Sequence, residues 1–313
     1  MRAAVVTSYD EPPHYRDVPE PRAGGEHDLV VDVLAAGLHP RVRMQADGSH
    51  YTSAREHLPL VPGIDGVGRA PGGDLWYFLG GAPGSMAERA VIDTRRGIAL
   101  PETADPVAVA ATLNCAIASW LALRRRITFA RGSTVMVVGA TGGTGRMAVR
   151  VAHHLGAGRV IAVGRDAARL AAIPGATGTA LLGDPAGLTR AGRDVDVVLD
   201  FLWGPPAAAT MAAVLAGRDP GAGPLTWINL GEMAGAEAAV PAGLLRSSRL
   251  RLIGSGQGSL TGAETAAEVP AVAALIADGT FAVPASPVPL RDVERTWTRP
   301  ADSRSRIVFL PGA

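Results

Sequence analysis

Between residues 133 and 254, short apolar runs alternate with stretches of helical spacing. The runs are Thr134–Val138, Arg159–Val163, Thr179–Leu182, Val195–Leu199, Leu225–Leu230 and Leu250–Ile253. Continuous apolar strands of this kind are buried on both faces, as in a parallel sheet covered by helices. Between the first two, Met147, Ala148, Val151, Ala152 and Leu155 recur at helical spacing and Gly156 closes the helix. That is one βαβ unit of about thirty residues. The first third is different. Met1–Val6 and Leu29–Leu34 read as strands, and Pro12-Pro13, Pro19, Pro21, Gly24-Gly25, Pro59, Pro62-Gly63, Gly66, Gly68 and Pro71-Gly72-Gly73 punctuate them. This predicts a small irregular β-domain. Val107–Leu123, closed by Arg124-Arg125-Arg126, falls short of the ~20 apolar residues of a membrane span and predicts a buried helix. After residue 254 the pattern gives one helix around Pro270 (Val269–Ile276) and a strand, Arg306–Leu310.

Composition narrows the chemistry. The 313 residues carry 30 basic and 29 acidic side chains, a net charge of +1, so no basic footprint points to nucleic acid. Every one of the 30 basic residues is arginine. Schiff-base catalysis, a P-loop lysine and a Tyr–Lys catalytic pair are therefore excluded, because arginine neither gives up its proton nor attacks carbonyls. The single cysteine, Cys115, rules out an intrachain disulfide and a Cys-built structural zinc site. It sits in the apolar helix and reads as inert core. With no signal-peptide pattern after Met1, the expected compartment is a reducing cytoplasm, with neither a membrane nor a nucleic-acid partner.

The strongest chemical signal is Val135-Met136-Val137-Val138-Gly139-Ala140-Thr141-Gly142-Gly143-Thr144-Gly145. A buried strand feeds a glycine turn that opens a helix, the arrangement in which backbone N–H groups and the positive helix end receive a pyrophosphate. The spacing is G-x-x-G-x-x-G, and it predicts a dinucleotide site over Gly139–Gly145. The next strand ends in Val163-Gly164-Arg165-Asp166. An NAD site places an acidic residue here for the ribose hydroxyls. Gly164 instead leaves room, Arg165 can fork onto a 2′-phosphate, and Arg169 adds a cation one turn later, which favours NADPH. Asp166 has a competing use as the N-cap of the helix beginning at Ala167.

These motifs, in this order, resemble the zinc-free medium-chain dehydrogenase/reductases of the quinone oxidoreductase group. The resemblance covers nearly the whole chain. It rests on Met1–Val6, Ala35-Ala36-Gly37-Leu38-His39-Pro40, Pro62-Gly63-Ile64-Asp65-Gly66-Val67-Gly68, Gly84-Ser85-Met86-Ala87-Glu88, the helix Ala108–Leu123, the glycine turn, Asp196–Asp200 and Leu250–Ser255. It implies an α/β fold: a GroES-like β-domain over residues 1–113, to which 256–313 return, and a Rossmann domain over 114–255. Positions that hold catalytic zinc in metal-dependent relatives carry His39, Ile64 and Asn114 here, so no metal is expected. Without a Lewis acid, the feasible chemistry is hydride delivery to an already electrophilic carbon of a quinone or an α,β-unsaturated carbonyl.

By the same resemblance His39, where relatives commonly have Asn, would donate a hydrogen bond to the substrate oxygen or supply its proton. The alternative is a histidine that caps the loop before Pro40. Tyr51 would line the substrate pocket or stand as an exposed loop aromatic. Asn114, Asn229, Gly231, Gly254 and Ser255 would approach the nicotinamide end, and Ala118 replaces a usual threonine. Arg306, in the last strand, could reach the cofactor but reads first as a surface residue, and Trp203 either shields the adenosine or packs. Relatives pair through the strand Leu250–Ile253, so a homodimer is expected. Two other functions stay open: an enoyl-thioester reductase on carrier-bound acyl chains, and a crystallin-like protein that holds NADPH without turnover.

Overall fold

The computed structural model describes residues 1–53, 57–219, 221–300 and 304–313. The chain divides into two compact units, Met1–Asn114 with Gly262–Ala313, and Cys115–Thr261. The division falls inside one helix, α2 (Pro106–Arg125).

The contiguous unit is built on six parallel strands: β8 (Thr134–Val138), β9 (Arg159–Gly164), β10 (Gly178–Leu181), β11 (Val197–Asp200), β12 (Leu225–Asn229) and β13 (Leu250–Gly254). Their order across the sheet is β10-β9-β8-β11-β12-β13, the doubly wound Rossmann arrangement. Each apolar run of the sequence becomes one of these strands, shifted by no more than two residues at an end. Helices α3 (Gly143–His154), α4 (Ala167–Ala171), α5 (Pro185–Ala191) and α6 (Gly204–Ala216) form four of the crossovers, and α7 (Ala242–Ser247) precedes β13. Met136, Val138, Ile161, Val163, Val198, Met211 and Trp227 form one buried cluster around this sheet. The direction of travel reverses between β8 and β11, and ligands of such sheets bind outside the carboxyl ends at that point.

The discontinuous unit is mostly antiparallel. Its strands are β1 (Arg2–Val5), β2 (His14–Asp17), β3 (Asp28–Leu38), β4 (Asp65–Arg69), β5 (Leu75–Leu79), β6 (Arg89–Asp93), β7 (Ile98–Leu100), β14 (Ala285–Pro289) and β15 (Arg306–Leu310). The larger sheet runs β14-β15-β3-β4-β5-β7, with β6 also on β3. Pro71-Gly72-Gly73 make a tight hairpin turn between β4 and β5, closed by Gly73 N–H to Ala70 O at 2.9 Å. Helices α1 (Pro40–Ala46), α8 (Gly262–Ala277) and α9 (Val293–Trp297) complete it. The helix α8 begins a full two turns before the expected Val269, because Ala and Glu upstream of Pro270 are good helix formers and one missing N–H does not stop them. The helix α2 is long and apolar enough to cross a membrane, the one such helix among the described residues, yet two thirds of its apolar window is buried.

Candidate active site

In the Rossmann unit the glycine turn leaves β8 with Gly139 at φ +87°, a left-handed conformation that glycine adopts freely. The Gly139 and Ala140 amides both donate to Val163 O at 3.0 Å, which ties the turn to the neighbouring strand. Gly142 is the N-cap of α3 and no side chain caps it. The first-turn N–H groups of Gly143, Thr144 and Gly145 therefore point outward as donors at the positive end of the helix. The turn tolerates no bulk at Gly145, where a Cβ would stand 2.3 Å from Gly139 O and 2.8 Å from Ala140 Cα. Backbone this close, with free donors and no side chains between, fits a pyrophosphate.

At the end of β9, a Cβ on Gly164 would meet Thr141 Cγ2 at 3.1 Å, so glycine keeps the two turns flush. Asp166 is the N-cap of α4, its carboxylate accepting from the Arg169 amide at 3.0 Å. That carboxylate is occupied by the helix it starts. Arg165 is exposed and its guanidinium meets no partner among the described residues. Arg169 Nη2 donates to Thr141 O at 3.3 Å, which holds a second cation beside the turn.

On the other side of the reversal point, the turn after β11 packs against Gly139: a Cβ there would touch Leu202 Cδ2 at 3.1 Å. Asp200, fully buried, braces this turn. Its Oδ1 accepts from Leu202 N at 2.9 Å and Trp203 N at 3.1 Å, and its Oδ2 from Trp227 Nε1 at 3.0 Å. Burial pushes its carboxyl up, and these three donors pull the other way. Trp203 is thereby held at φ +51°, the only non-glycine with positive φ among the described residues. Such a conformation costs a bulky residue of order 1–3 kcal/mol and persists only where its surroundings impose it. Trp203 packs, half-buried, against the sheet cluster. Further along, Asn229 Nδ2 donates to Gly231 O at 2.9 Å. Ser255 N donates to Asn229 O at 2.8 Å, and Gly254 O accepts from Arg126 Nε at 3.0 Å.

In the discontinuous unit His39 joins β3 to α1. It is the N-cap residue of α1, but its side chain makes no capping bond. Instead Nε2 lies 2.7 Å from Asp65 Oδ1, and the Tyr77 hydroxyl donates to Asp65 Oδ2 at 3.0 Å. All three side chains are buried. Burial holds His39 below the ordinary histidine range; Asp65 opposes this, and the charges of Arg306 and Arg41 reinforce it. Asp65 and Tyr77 come from adjacent strands, β4 and β5, and spacing along the sequence gives no hint of their meeting. Ile64, beside them, packs with Leu38, Val42, Met86 and Phe309. Among the described residues, no three His, Cys, Asp or Glu side chains are placed to share a metal ion.

One expectation needs correction. Arg306 is not on the surface: β15 lies between β14 and β3 rather than at an edge. Arg306 is 9% exposed, and its Nη1 donates to Leu38 O at 3.5 Å. Tyr51 lies on the loop after α1, 59% exposed. The turn closed by Ser53 N to His50 O carries it outward, stacked at 4.3 Å on His50. His50 itself is pushed down to about 4 by burial and by Arg41. Asn114 lies on α2 at the limit of its unit, partly buried. Cys115, next to it, is buried as expected.

No protein-family model matches the chain. The probable NADPH-dependent quinone reductase tdiC of Emericella nidulans is 31% identical over 360 aligned positions, covering 99% of this chain and all of that protein. Among solved structures, the quinone oxidoreductase of Thermus thermophilus, also solved in complex with NADPH, is 26% identical. It superposes with a TM-score of 0.78 over 99% of this chain and 100% of that one. A probable oxidoreductase from Mycobacterium abscessus is likewise 26% identical, with a TM-score of 0.77 over 99% of each chain.

Proposed function

Starting from the fact that this chain belongs to the quinone oxidoreductase-like group of the medium-chain dehydrogenase/reductase superfamily, we propose that it is an NADPH-dependent oxidoreductase that reduces a small-molecule quinone. The observation that carries this reading is the glycine-rich turn Gly139–Gly145 at the reversal point of the sheet, flanked by an exposed arginine where an NAD site has an acid. When bound, NADPH supplies a hydride to an electrophilic acceptor. The residues of the chain do the rest. The amides of Gly143, Thr144 and Gly145 hold the pyrophosphate. Gly164 admits the ribose, and Arg165 and Arg169 hold its 2′-phosphate. Asn114, Asn229, Gly231, Gly254 and Ser255 serve the nicotinamide end, and His39 the acceptor. A reducing cytoplasm is the compartment we assign, in keeping with a lone buried thiol.

Arg165→Ala tests the cofactor assignment. Losing a charge-assisted bond worth about 1.5–3 kcal/mol weakens NADPH by roughly 10- to 100-fold and leaves NADH unchanged, as read by fluorescence titration. Equal losses for both cofactors would remove the phosphate role.

We also assign a homodimer paired through β13. This strand ends the sheet with an unpaired outer edge, and its Leu252 is 36% exposed. Sedimentation velocity is expected to give twice the 32.1 kDa chain mass, and Leu252→Pro to give monomer. A monomeric wild type at micromolar concentration contradicts it.

A further inference from the structure

The contacts of His39 decide which kind of hydrogen bond it offers. A carboxylate only accepts, and Asp65 already takes the Tyr77 hydroxyl on Oδ2 at 3.0 Å. The contact of 2.7 Å between Asp65 Oδ1 and His39 Nε2 therefore places the imidazole proton on Nε2. A neutral imidazole has one N–H. With that proton committed to Asp65, Nδ1 carries a bare lone pair. A second proton on Nδ1 would make a buried imidazolium. Asp65 on β4 favours that ion, whereas burial and the cations Arg306 on β15 and Arg41 on α1 oppose it; Tyr77 on β5 bears on His39 through Asp65.

We infer that Asp65, fixed in turn by Tyr77, is a positioning residue that locks His39 in its Nε2–H tautomer, so that His39 acts as a hydrogen-bond acceptor through Nδ1 and not as a proton donor. This rests on the proposed reductase only in placing His39 beside the acceptor; the tautomer follows from unit geometry alone. It reverses the role the sequence suggested. The proton that completes reduction of the acceptor then has a source other than His39. A quinone carbonyl carries no O–H or N–H, so Nδ1 meets the oxygen of the acceptor only through a bridging donor such as water.

The test is long-range 1H–15N correlation on protein labelled at histidine nitrogens, with the His39 signals assigned by their loss in His39→Gln. The expected wild-type pattern at pH 7 is one protonated Nε2 and one unprotonated Nδ1. In Asp65→Ala, which removes the acceptor, the pattern shifts toward the Nδ1–H form or to a mixture. Tyr77→Phe, which keeps the carboxylate and the ring, retains the Nε2–H form, with kcat lowered about threefold to tenfold and the KM for NADPH unchanged. An Nδ1–H tautomer or an imidazolium in wild type at pH 7 overturns the inference. So does an unchanged His39 pattern in a folded Asp65→Ala. If Asp65→Ala does not fold, the wild-type spectrum alone still decides. Because the spectrum needs no turnover, absence of quinone reduction would refute the proposed function and leave this assignment standing.

Discussion

Gly145→Ala abolishes NADPH binding, with at least a roughly 100-fold rise in Kd, equivalent to about 2.7 kcal/mol. The new methyl would lie 2.3 Å from Gly139 O and 2.8 Å from Ala140 Cα. Both are backbone atoms, so no side chain can swing aside. The turn itself must move, and with it the amides that face the pyrophosphate. The same displacement costs about 1–3 kcal/mol of stability, several degrees in Tm. Gly142→Ala is the internal control for that loss of stability. Its φ of −75° suits any residue, and its Cβ would sit 3.5 Å from Gly139 O, an ordinary contact. Its Tm stays within about 2 °C of wild type. Isothermal titration with NADPH and thermal melts of the two variants check both effects. Tight NADPH binding by Gly145→Ala would remove the turn from the cofactor site.

Asp200→Ala is the largest stability loss we expect outside the glycine turn, about 3–5 kcal/mol by chemical denaturation. Three donors lose a buried acceptor at once: the amides of Leu202 and Trp203 and the indole of Trp227. The strained Trp203 then relaxes, since its amide has no other hydrogen-bond acceptor among the described residues. Leu202, which packs on Gly139, moves with it. NADPH affinity therefore falls together with stability, although Asp200 is fully buried and not itself a proposed cofactor ligand. A denaturation midpoint within about 0.5 kcal/mol of wild type contradicts the bracing role.

The parallel sheet is readable in the sequence because its strands are buried on both faces and so appear as uninterrupted apolar runs. The glycine turn is readable because it lies directly between one such run and a helix. The His39–Asp65–Tyr77 group is not. Asp65 stands in the Pro62–Gly68 motif, but its partners are set by strand pairing, which joins residues 26 and 12 positions away. Arg306 escapes the sequence for a related reason: its burial depends on β14 and β3 flanking β15, and no local pattern reveals a strand's neighbours. The twist at Trp203 leaves no mark either. A tryptophan is a poor candidate for positive φ, and only the tertiary brace from Asp200 puts it there.

The pairing of β15 with β3 brings Ile307 opposite Leu38 and Val308 opposite Gly37. Everything needed for the parallel sheet leaves the ribosome before Arg306 does. The nucleotide-binding half can thus finish folding during synthesis, while the half bearing His39 waits, its β3 edge uncovered, for a segment translated after it. A stalled or prematurely terminated message would accordingly yield a product that still grips NADPH through an intact parallel sheet while its other half exposes an open strand, a natural target for chaperones and proteases.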